Sequence, residues 1–567
     1  MDEKKGKTAR EAPRIEEPPA SSKRNIGLAA LTVAAVTAAA YANSFSGAFV
    51  FDDLAQNVEN PDLQSLWSSL HGNTRPLFFL TLFLQRSLTD LKVWPFHLVN
   101  LAIHICAALT LFGILRRTFL SERLRARYGA HALGLALVAC LLWAVHPLQT
   151  ESVTYIFQRT ESLMGLFYLL TIYAVIRGAQ GGKYWGLTAV LACALGMATK
   201  EVMITAPLAA LLYGRTFLAG SFRAALKSRW RLYAGLAATW AVPLLLVATS
   251  YSFQLETGAG FGSSAAAPLE YARTQPGAIL HYLFLSFWPR SLCLDYGWPA
   301  APQAALLLGQ ALAVLALLIL TGWGLFRNHP LGFAGAWFFL ILALTSSFMP
   351  MPDPLVEHRM YLPLAALAVL VTVRADDLIH WAMDRAQLPA ARRKKLAFAA
   401  GGSLAALAVL TLGCLTFLRN GDYRSEYSIW ADTVRKSPRC PRAQANLGAA
   451  LIKQGDHEEG AAHLREALKL KPDMVEPRYN LGVELLVRAN RLRDKNLHSE
   501  AIEQLRRAVE LNDNHCGAHY YLALGLLNRP AEAAEHLRKV VEKDRTGKWR
   551  PRARELLEKL APGDQDR

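Results

Sequence analysis

Two scarcities narrow what this sequence can be. Only seven cysteines occur in 567 residues, four of them (Cys106, Cys140, Cys193 and Cys414) lie inside apolar runs, and no CxxC pair occurs. That excludes a cysteine-spaced zinc site and a disulfide framework, leaving Cys440 and Cys516 as the one pair that could meet across the C-terminal region. Charge is the second scarcity: Ile26–Ala42, Leu98–Leu115, Ala304–Leu320 and Ala397–Leu418 contain no Asp, Glu, Lys or Arg. About 20 apolar residues on a helix cross the hydrocarbon core of a bilayer. Backbone groups in lipid must be paired within the segment, so such runs are helices. Too many of them occur together for a set of soluble core helices.

The charge that is present is strongly positive, +17 overall, and its placement decides its meaning. Arg116, Arg117, Arg123, Arg125 and Arg127 form one cluster. Arg215, Arg223, Lys227, Arg229 and Arg231 form a second, and Arg392, Arg393, Lys394 and Lys395 a third. Each sits in a short turn between apolar runs, the positive-inside pattern of cytoplasmic loops. The excess therefore reports membrane topology, and no nucleic-acid partner is expected.

Threading the turns by charge gives about 11 spans with the N-terminus inside and the C-terminus outside. After the first run they read as His97–Leu115, Ala132–Val145, Ser162–Ile176, Tyr184–Thr199, Val202–Ala219 and Leu232–Thr249. Gln303–Phe326, Leu331–Phe348, Tyr361–Trp381 and Leu396–Phe417 follow. Ala278–Trp288 is short and ends at Pro289, so it reads as re-entrant or interfacial. Leu77–Leu84 is apolar and suited to lying along the membrane surface. Residues 1–24, mixed in charge and rich in proline, read as a disordered cytoplasmic tail.

Beyond Asn420 the pattern changes to charged amphipathic helices. Leu447-Gly448, Gly455, Leu464, Ala467 and Pro472 fit the tetratricopeptide repeat, and Leu481-Gly482 follows Leu447-Gly448 by the repeat's 34-residue period. A second unit continues through Ala501, Leu505 and Ala508 after an insertion around Arg491–Leu497. A third, degenerate unit runs through Leu522, Ala533 and Leu537. Three units are about the minimum that can bury a shared core. The expected fold is all-α: a membrane bundle over residues 25–419, then a helical solenoid over 420–567 on the external side.

Ionisable residues recur on that external side. Asp52 and Asp53 lie just beyond the first span as a candidate acid/base pair, although caps or solvated loop residues would look the same. Arg75 follows. His146 and Glu151 end span 3, Arg159 and Glu161 precede span 4, Lys200 and Glu201 join spans 5 and 6, and Glu357, His358, Arg359 and Tyr361 precede span 10. Ionisable groups at membrane depth are costly and mark substrate paths. Acids with Arg and Lys at one face suit a phosphate-bearing lipid substrate. His97, Asn100 and His104 give span 2 a polar face, better explained by interhelical hydrogen bonds.

Tyr41-Ala42-Asn43-Ser44-Phe45, Phe51-Asp52-Asp53, Asn60-Pro61, Leu66-Trp67 and Arg75-Pro76-Leu77 resemble the transmembrane and tetratricopeptide-repeat O-mannosyltransferases. These are GT-C glycosyltransferases, alongside the protein O-mannosyltransferases. The resemblance continues through His97-Leu98-Val99-Asn100, His146-Pro147 with Glu151, Lys200-Glu201 and Tyr361-Leu362-Pro363. It implies a GT-C-like bundle and inverting transfer of mannose from a polyprenyl-phosphate carrier to Ser or Thr of an acceptor protein. By motif match Asp52 is the base, Asp53 orients the acceptor or assists Asp52, and Lys200, Glu201 and Arg359 line the lipid-phosphate side. Many relatives read Glu-Arg before the Tyr-Leu-Pro segment, whereas this chain has Glu357-His358-Arg359, which leaves the phosphate contact open between them. The short repeat array points to a bacterial member in an inner membrane, with an endoplasmic reticulum as the alternative.

The repeats suit an acceptor protein, and Asn446 and Asn480 hold equivalent positions where amides could clamp a peptide backbone, although a structural role fits them as well. No cofactor is indicated beyond the lipid-linked donor. A divalent cation stays open, since the acids near Asp52 could bind one without a spacing signature. The alternatives are the same transfer onto a lipid or polysaccharide, and a non-catalytic membrane scaffold that docks partners.

Overall fold

The computed structural model describes residues 22–55, 60, 63, 65–249, 268–299, 303–386, 388–544 and 547–560. Among these every regular element is a helix. The membrane region comprises α1 (Lys23–Ala40), α2 (Pro76–Thr89), α3 (Val93–Phe119), α4 (Ala132–Ala144), α5 (Arg159–Ala179), α6 (Trp185–Met197) and α7 (Ala206–Tyr213). It continues with α8 (Phe222–Ala238), α9 (Ala241–Thr249), α10 (Pro268–Phe287), α11 (Ala304–Phe326), α12 (Pro330–Leu342), α13 (Leu364–Arg385) and α14 (Ala390–Asn420). Most of the predicted tail, residues 1–21, lies outside the described part, while Lys23 and Arg24 already belong to α1.

All eleven predicted spans are helical, with α8 and α9 forming one of them. Among the described residues, eight segments are long and apolar enough to cross a bilayer by length and composition. Of the other three, α6 and α12 have 13 residues each, and α13 carries Arg374, Asp376 and Asp377 in its second half. Short or charged helices are tolerated at membrane depth where they are packed within protein. Several helices overrun the sequence reading. Thus α3 spans Val93–Phe119 and continues through Arg116 and Arg117. An apolar run ends at the first charge, whereas a helix ends only where its hydrogen bonds do.

The turns sort into two layers. At one end, Arg215 donates to the Leu325 carbonyl at 2.6 Å, Asn328 donates to the Gly220 carbonyl at 2.9 Å, and Arg127 pairs with Asp377 at 2.8 Å. This is the arginine-rich end. The predicted re-entrant or interfacial run belongs to α10. Its Tyr271 hydroxyl donates to the Thr345 carbonyl, Tyr282 to Val356, and its Ser286 carbonyl bonds His146. Partners along about 22 Å of helix, at 1.5 Å per residue, all lie in loops of the opposite, acidic end.

The solenoid begins with α15 (Glu426–Lys436), closed by a capping box between Ser425 and Ser428. Three helical pairs follow: α16 (Pro441–Gln454) with α17 (His457–Leu470), α18 (Val475–Leu492) with α19 (Lys495–Leu511), and α20 (Cys516–Gly525) with α21 (Pro530–Lys543). The predicted insertion lengthens α18 and α19 to 18 and 17 residues, against 14 for α16 and α17. A last helix, α22 (Arg550–Leu560), closes the core through buried Ala553. Cys440 and Cys516 are both free thiols, so no bridge crosses the repeats.

Gly448 allows α16 and α17 to meet: a Cβ there would stand 2.7 Å from the Gly460 carbonyl oxygen and 2.9 Å from Leu464 Cγ. Gly448→Val should therefore lower stability by about 1–3 kcal/mol through overpacking, read by thermal unfolding of the full-length protein in detergent. An unchanged transition would contradict the close approach.

Candidate active site

The first loop of the acidic end is held under strain. Phe51 adopts φ 49°, a left-handed conformation that bulky residues rarely take. Its ring is fixed edge-on by Trp430 of α15 at 5.3 Å, with the Arg442 guanidinium 5.5 Å from its centroid. Both clamps come from the solenoid. Backbone strain of this sort persists where surrounding structure over-determines it, and it clusters at functional sites.

The two acids that follow differ sharply. Asp53 is fully buried, and its carboxylate accepts the Phe157 amide at 2.6 Å and the Val50 amide at 3.1 Å. Asp52 is half-buried, and its amide donates to the Tyr155 hydroxyl at 3.1 Å. Burial pushes the Asp52 carboxyl above the usual carboxylate range, while Tyr155 and the Arg442 charge pull it back. Asp53 is raised further by burial, despite its amide bonds.

Beside this loop lies a cavity of about 220 Å³. Arg75, Lys200, Glu201 and Arg359 all line it, as does Glu161. Arg75 bridges Glu201 at 3.3 Å, and Lys200 bridges the buried Glu161 at 2.5 Å. Arg359 differs, because its guanidinium donates to the carbonyls of Asp353 and Pro354 at 2.6 and 3.0 Å and to the Tyr271 hydroxyl at 3.3 Å. These are neutral oxygens, so no carboxylate claims its charge within hydrogen-bond reach among the described residues. An anionic group entering the cavity meets a guanidinium that no carboxylate holds by a hydrogen bond.

The remaining predicted residues stand behind the cavity wall. Glu151 is buried and accepts both the His358 amide and its Nδ1, at 2.9 and 2.8 Å; burial pushes its carboxyl to about 7. Burial pushes the imidazole of His358, which lines the cavity, well below the usual histidine range, with the Lys200 and Arg359 charges acting in the same direction. Glu357 takes the Cys293 amide and the Tyr296 hydroxyl at 2.7 and 2.8 Å. His146 bonds the Ser286 carbonyl, and Tyr361 is buried against His104 Nδ1 at 2.9 Å. Glu151, Glu357, His146 and Tyr361 therefore do not line the cavity; hydrogen bonds within the bundle hold them, although Glu357 Oε2 is buried without a partner among the described residues. On α3, Asn100 takes Arg159 Nε at 2.6 Å and His104 pairs with Tyr361 as expected, whereas both ring nitrogens of buried His97 lack a hydrogen-bond partner among the described residues. Asn446 and Asn480 are half-buried on the first helices of their repeats.

Two residues escaped the sequence reading. Asp353 lines the cavity, and Arg442 of α16 reaches it at 2.5 Å while also holding Asp295 at 2.5 Å. The only local signal for Asp353 is its flanking by Pro352 and Pro354. Val50, Tyr155 and Leu294 of the loops share one core cluster with Trp430, Ala443 and Leu447 of the solenoid. No group of three or more His, Cys, Asp or Glu placed to hold a metal occurs among the described residues.

A helical membrane bundle with a charged cavity at one end, and tetratricopeptide-like repeats packed against the loops of that end, is the class these features define. A model of the dolichyl-phosphate-mannose-protein mannosyltransferase family matches residues 74–247, and a tetratricopeptide-repeat model matches 415–475. Mouse protein O-mannosyl-transferase TMTC3 is 23% identical over 551 residues, covering 87% of this chain and 57% of that protein. Mouse protein O-mannosyl-transferase TMTC4 is 26% identical over 504 residues, covering 77% and 66%. Human TMTC4 reaches 33% over 210 residues, 31% of this chain and 28% of that protein. The chain is thus similar over most of its length to protein O-mannosyl-transferases, as its motifs indicated. Its matches over most of its length span about three fifths of those relatives.

The Lys200–Glu161 pair yields a direct test. Their side chains are 7% and 3% exposed, so removing one partner strands a buried charge, at about 3–5 kcal/mol. Glu161→Gln should lower stability by that order in denaturant titrations, and adding Lys200→Met to make the double variant should recover most of it. Equal stability of all three proteins would contradict the buried pair.

Proposed function

We propose that this protein transfers a sugar, mannose, from a polyprenyl-phosphate carrier to a Ser or Thr hydroxyl of an acceptor protein, with inversion at the anomeric carbon. One observation supports it most: the Arg359 guanidinium, held by no carboxylate among the described residues, lines a cavity next to the strained loop of Asp52, and Arg442 of the repeats grips Asp353 on that cavity's wall. The transfer forms a bond from the hydroxyl oxygen to the anomeric carbon as the bond to the phosphate oxygen breaks. The hydroxyl proton passes to the Asp52 carboxylate, and the released electron pair stays on the phosphate. A hydroxyl is a weak nucleophile until a base accepts its proton, whereas a phosphate leaving group needs no strong acid. Arg359 stabilises the growing phosphate charge, and Lys200 and Arg75 frame the same side.

Asp53, saturated by backbone amides, assists Asp52 by fixing its loop and does not touch the acceptor. The repeats favour a protein acceptor over a lipid or polysaccharide one. Asn446 and Asn480 face the acceptor chain and clamp its backbone. The arginine-rich end lies in the cytoplasm of a bacterial inner membrane, and the cavity and repeats face the periplasm.

Asp52→Asn should reduce transfer of mannose from polyprenyl-phosphate mannose to acceptor protein by about 10²–10⁴-fold, the usual contribution of a general base, with thermal unfolding unchanged. Full activity of that variant would overturn the assignment. Because only the deprotonated carboxylate accepts the proton and burial raises its pKa, activity should fall on acidification at a pH above the ordinary Asp value of about 3.9. A rate profile in reconstituted vesicles measures this. An acid limb at or below the ordinary value would contradict the buried base.

A further inference from the structure

A second cavity, of about 540 Å³, opens at the arginine-rich end among α3, α5, α7, α12 and α13. Its wall is apolar, with Leu115, Ile172, Phe217, Phe333 and Val369 among the lining residues. Its rim is cationic, carrying Arg123, Arg127 and Arg374 with the single acid Asp377. Arg127 uses that acid at 2.8 Å. Arg123 donates to a neutral oxygen, the Asn328 carbonyl, and Arg374 is exposed. Two guanidinium groups at the mouth are therefore left without a carboxylate.

Depth identifies what fits. Along α13 the lining runs from Ala365 to Asp377, about 18 Å at 1.5 Å per residue. One leaflet of a hydrocarbon core about 30 Å thick is about 15 Å deep. An apolar slot one leaflet deep, with guanidinium groups at its mouth that no carboxylate pairs among the described residues, matches an amphiphile with an alkyl chain and an anionic head. The slot is closed toward the acidic end. Trp337 lines it, donates to the Leu362 carbonyl at 2.8 Å and packs edge-on with Tyr168 at 5.3 Å. Ile341, one turn further along α12, belongs to the other cavity.

We propose that this slot binds an anionic phospholipid of the cytoplasmic leaflet, its phosphate held by Arg123 and Arg374 and one acyl chain lying against α12 and α13. Guanidinium groups match phosphate oxygens in bidentate geometry, and the inner leaflet supplies anionic lipid. The lipid is a buttress under α12, which carries Ile341, and under α13, which the turn bearing Arg359 precedes, and it is distinct from a transferred donor. The site does not depend on the sugar-transfer reading.

Native mass spectrometry of the full-length protein, released from detergent and titrated with phosphatidylglycerol, phosphatidylcholine or undecaprenyl phosphate, tests this. One phosphatidylglycerol should bind in preference to phosphatidylcholine. The Arg123→Ala/Arg374→Ala double variant should weaken it roughly 30-fold, given the usual value of two surface cations. Val369→Trp, which fills the slot and keeps both cations, should also abolish retention. Equal binding of phosphatidylcholine, or undiminished phosphatidylglycerol binding in both variants, would overturn the site. Displacement of phosphatidylglycerol by an equimolar amount of undecaprenyl phosphate would overturn the phospholipid assignment.

Discussion

The acidic end depends on the grip of Arg442. From the first repeat helix its guanidinium spans Asp295 and Asp353 at 2.5 Å each, while its face covers Phe51. These contacts tie the solenoid to three separate loops of the bundle. Asp353 in turn supplies a carbonyl to Arg359, and Phe51 precedes Asp52. A single side chain of the repeat domain therefore reaches both the proposed base and the cation proposed for phosphate. A bidentate arginine between two carboxylates is geometrically restrictive, which a lysine would not reproduce.

That grip explains why strain is affordable at Phe51. The left-handed backbone there is maintained by Trp430 and Arg442 from above and by the amide bonds of Asp53 from below. Asp53 thus looks like chemistry in the sequence and acts as an anchor in the fold. The same inversion holds for Glu151, which carries His358 into the cavity from behind the wall.

Much of this was legible before any coordinates. The helical segments of the bundle followed from uncharged runs and arginine-rich turns, because lipid enforces helix wherever charge is absent, although eight rather than eleven are long and apolar enough to cross a bilayer among the described residues. Arg75, Lys200, Glu201 and Arg359 converge because ionisable residues beside spans on one face have few other places to go. His146, Glu357 and Tyr361 shared that signal but went into packing, since a polar residue that lines a cavity and one that bonds a neighbouring helix are the same letter. Asp353 and Arg442 were missed for a different reason: their meaning arises only when the solenoid folds back on the loops, 89 positions apart in sequence. The lengthened second repeat was visible as an insertion, but the closing helix α22 carries no repeat signature.

The claim beneath all of this is that the strained acidic loop and the solenoid share one side of the membrane, opposite the arginine-rich turns. In a cysteine-free background, single cysteines at exposed Asp90, Ser499 and Arg392 can be labelled in sealed vesicles with a membrane-impermeant maleimide. Positions 90 and 499 should react from the same side and position 392 from the other. Labelling of 90 and 499 from opposite sides would contradict the shared face on which the proposed chemistry depends.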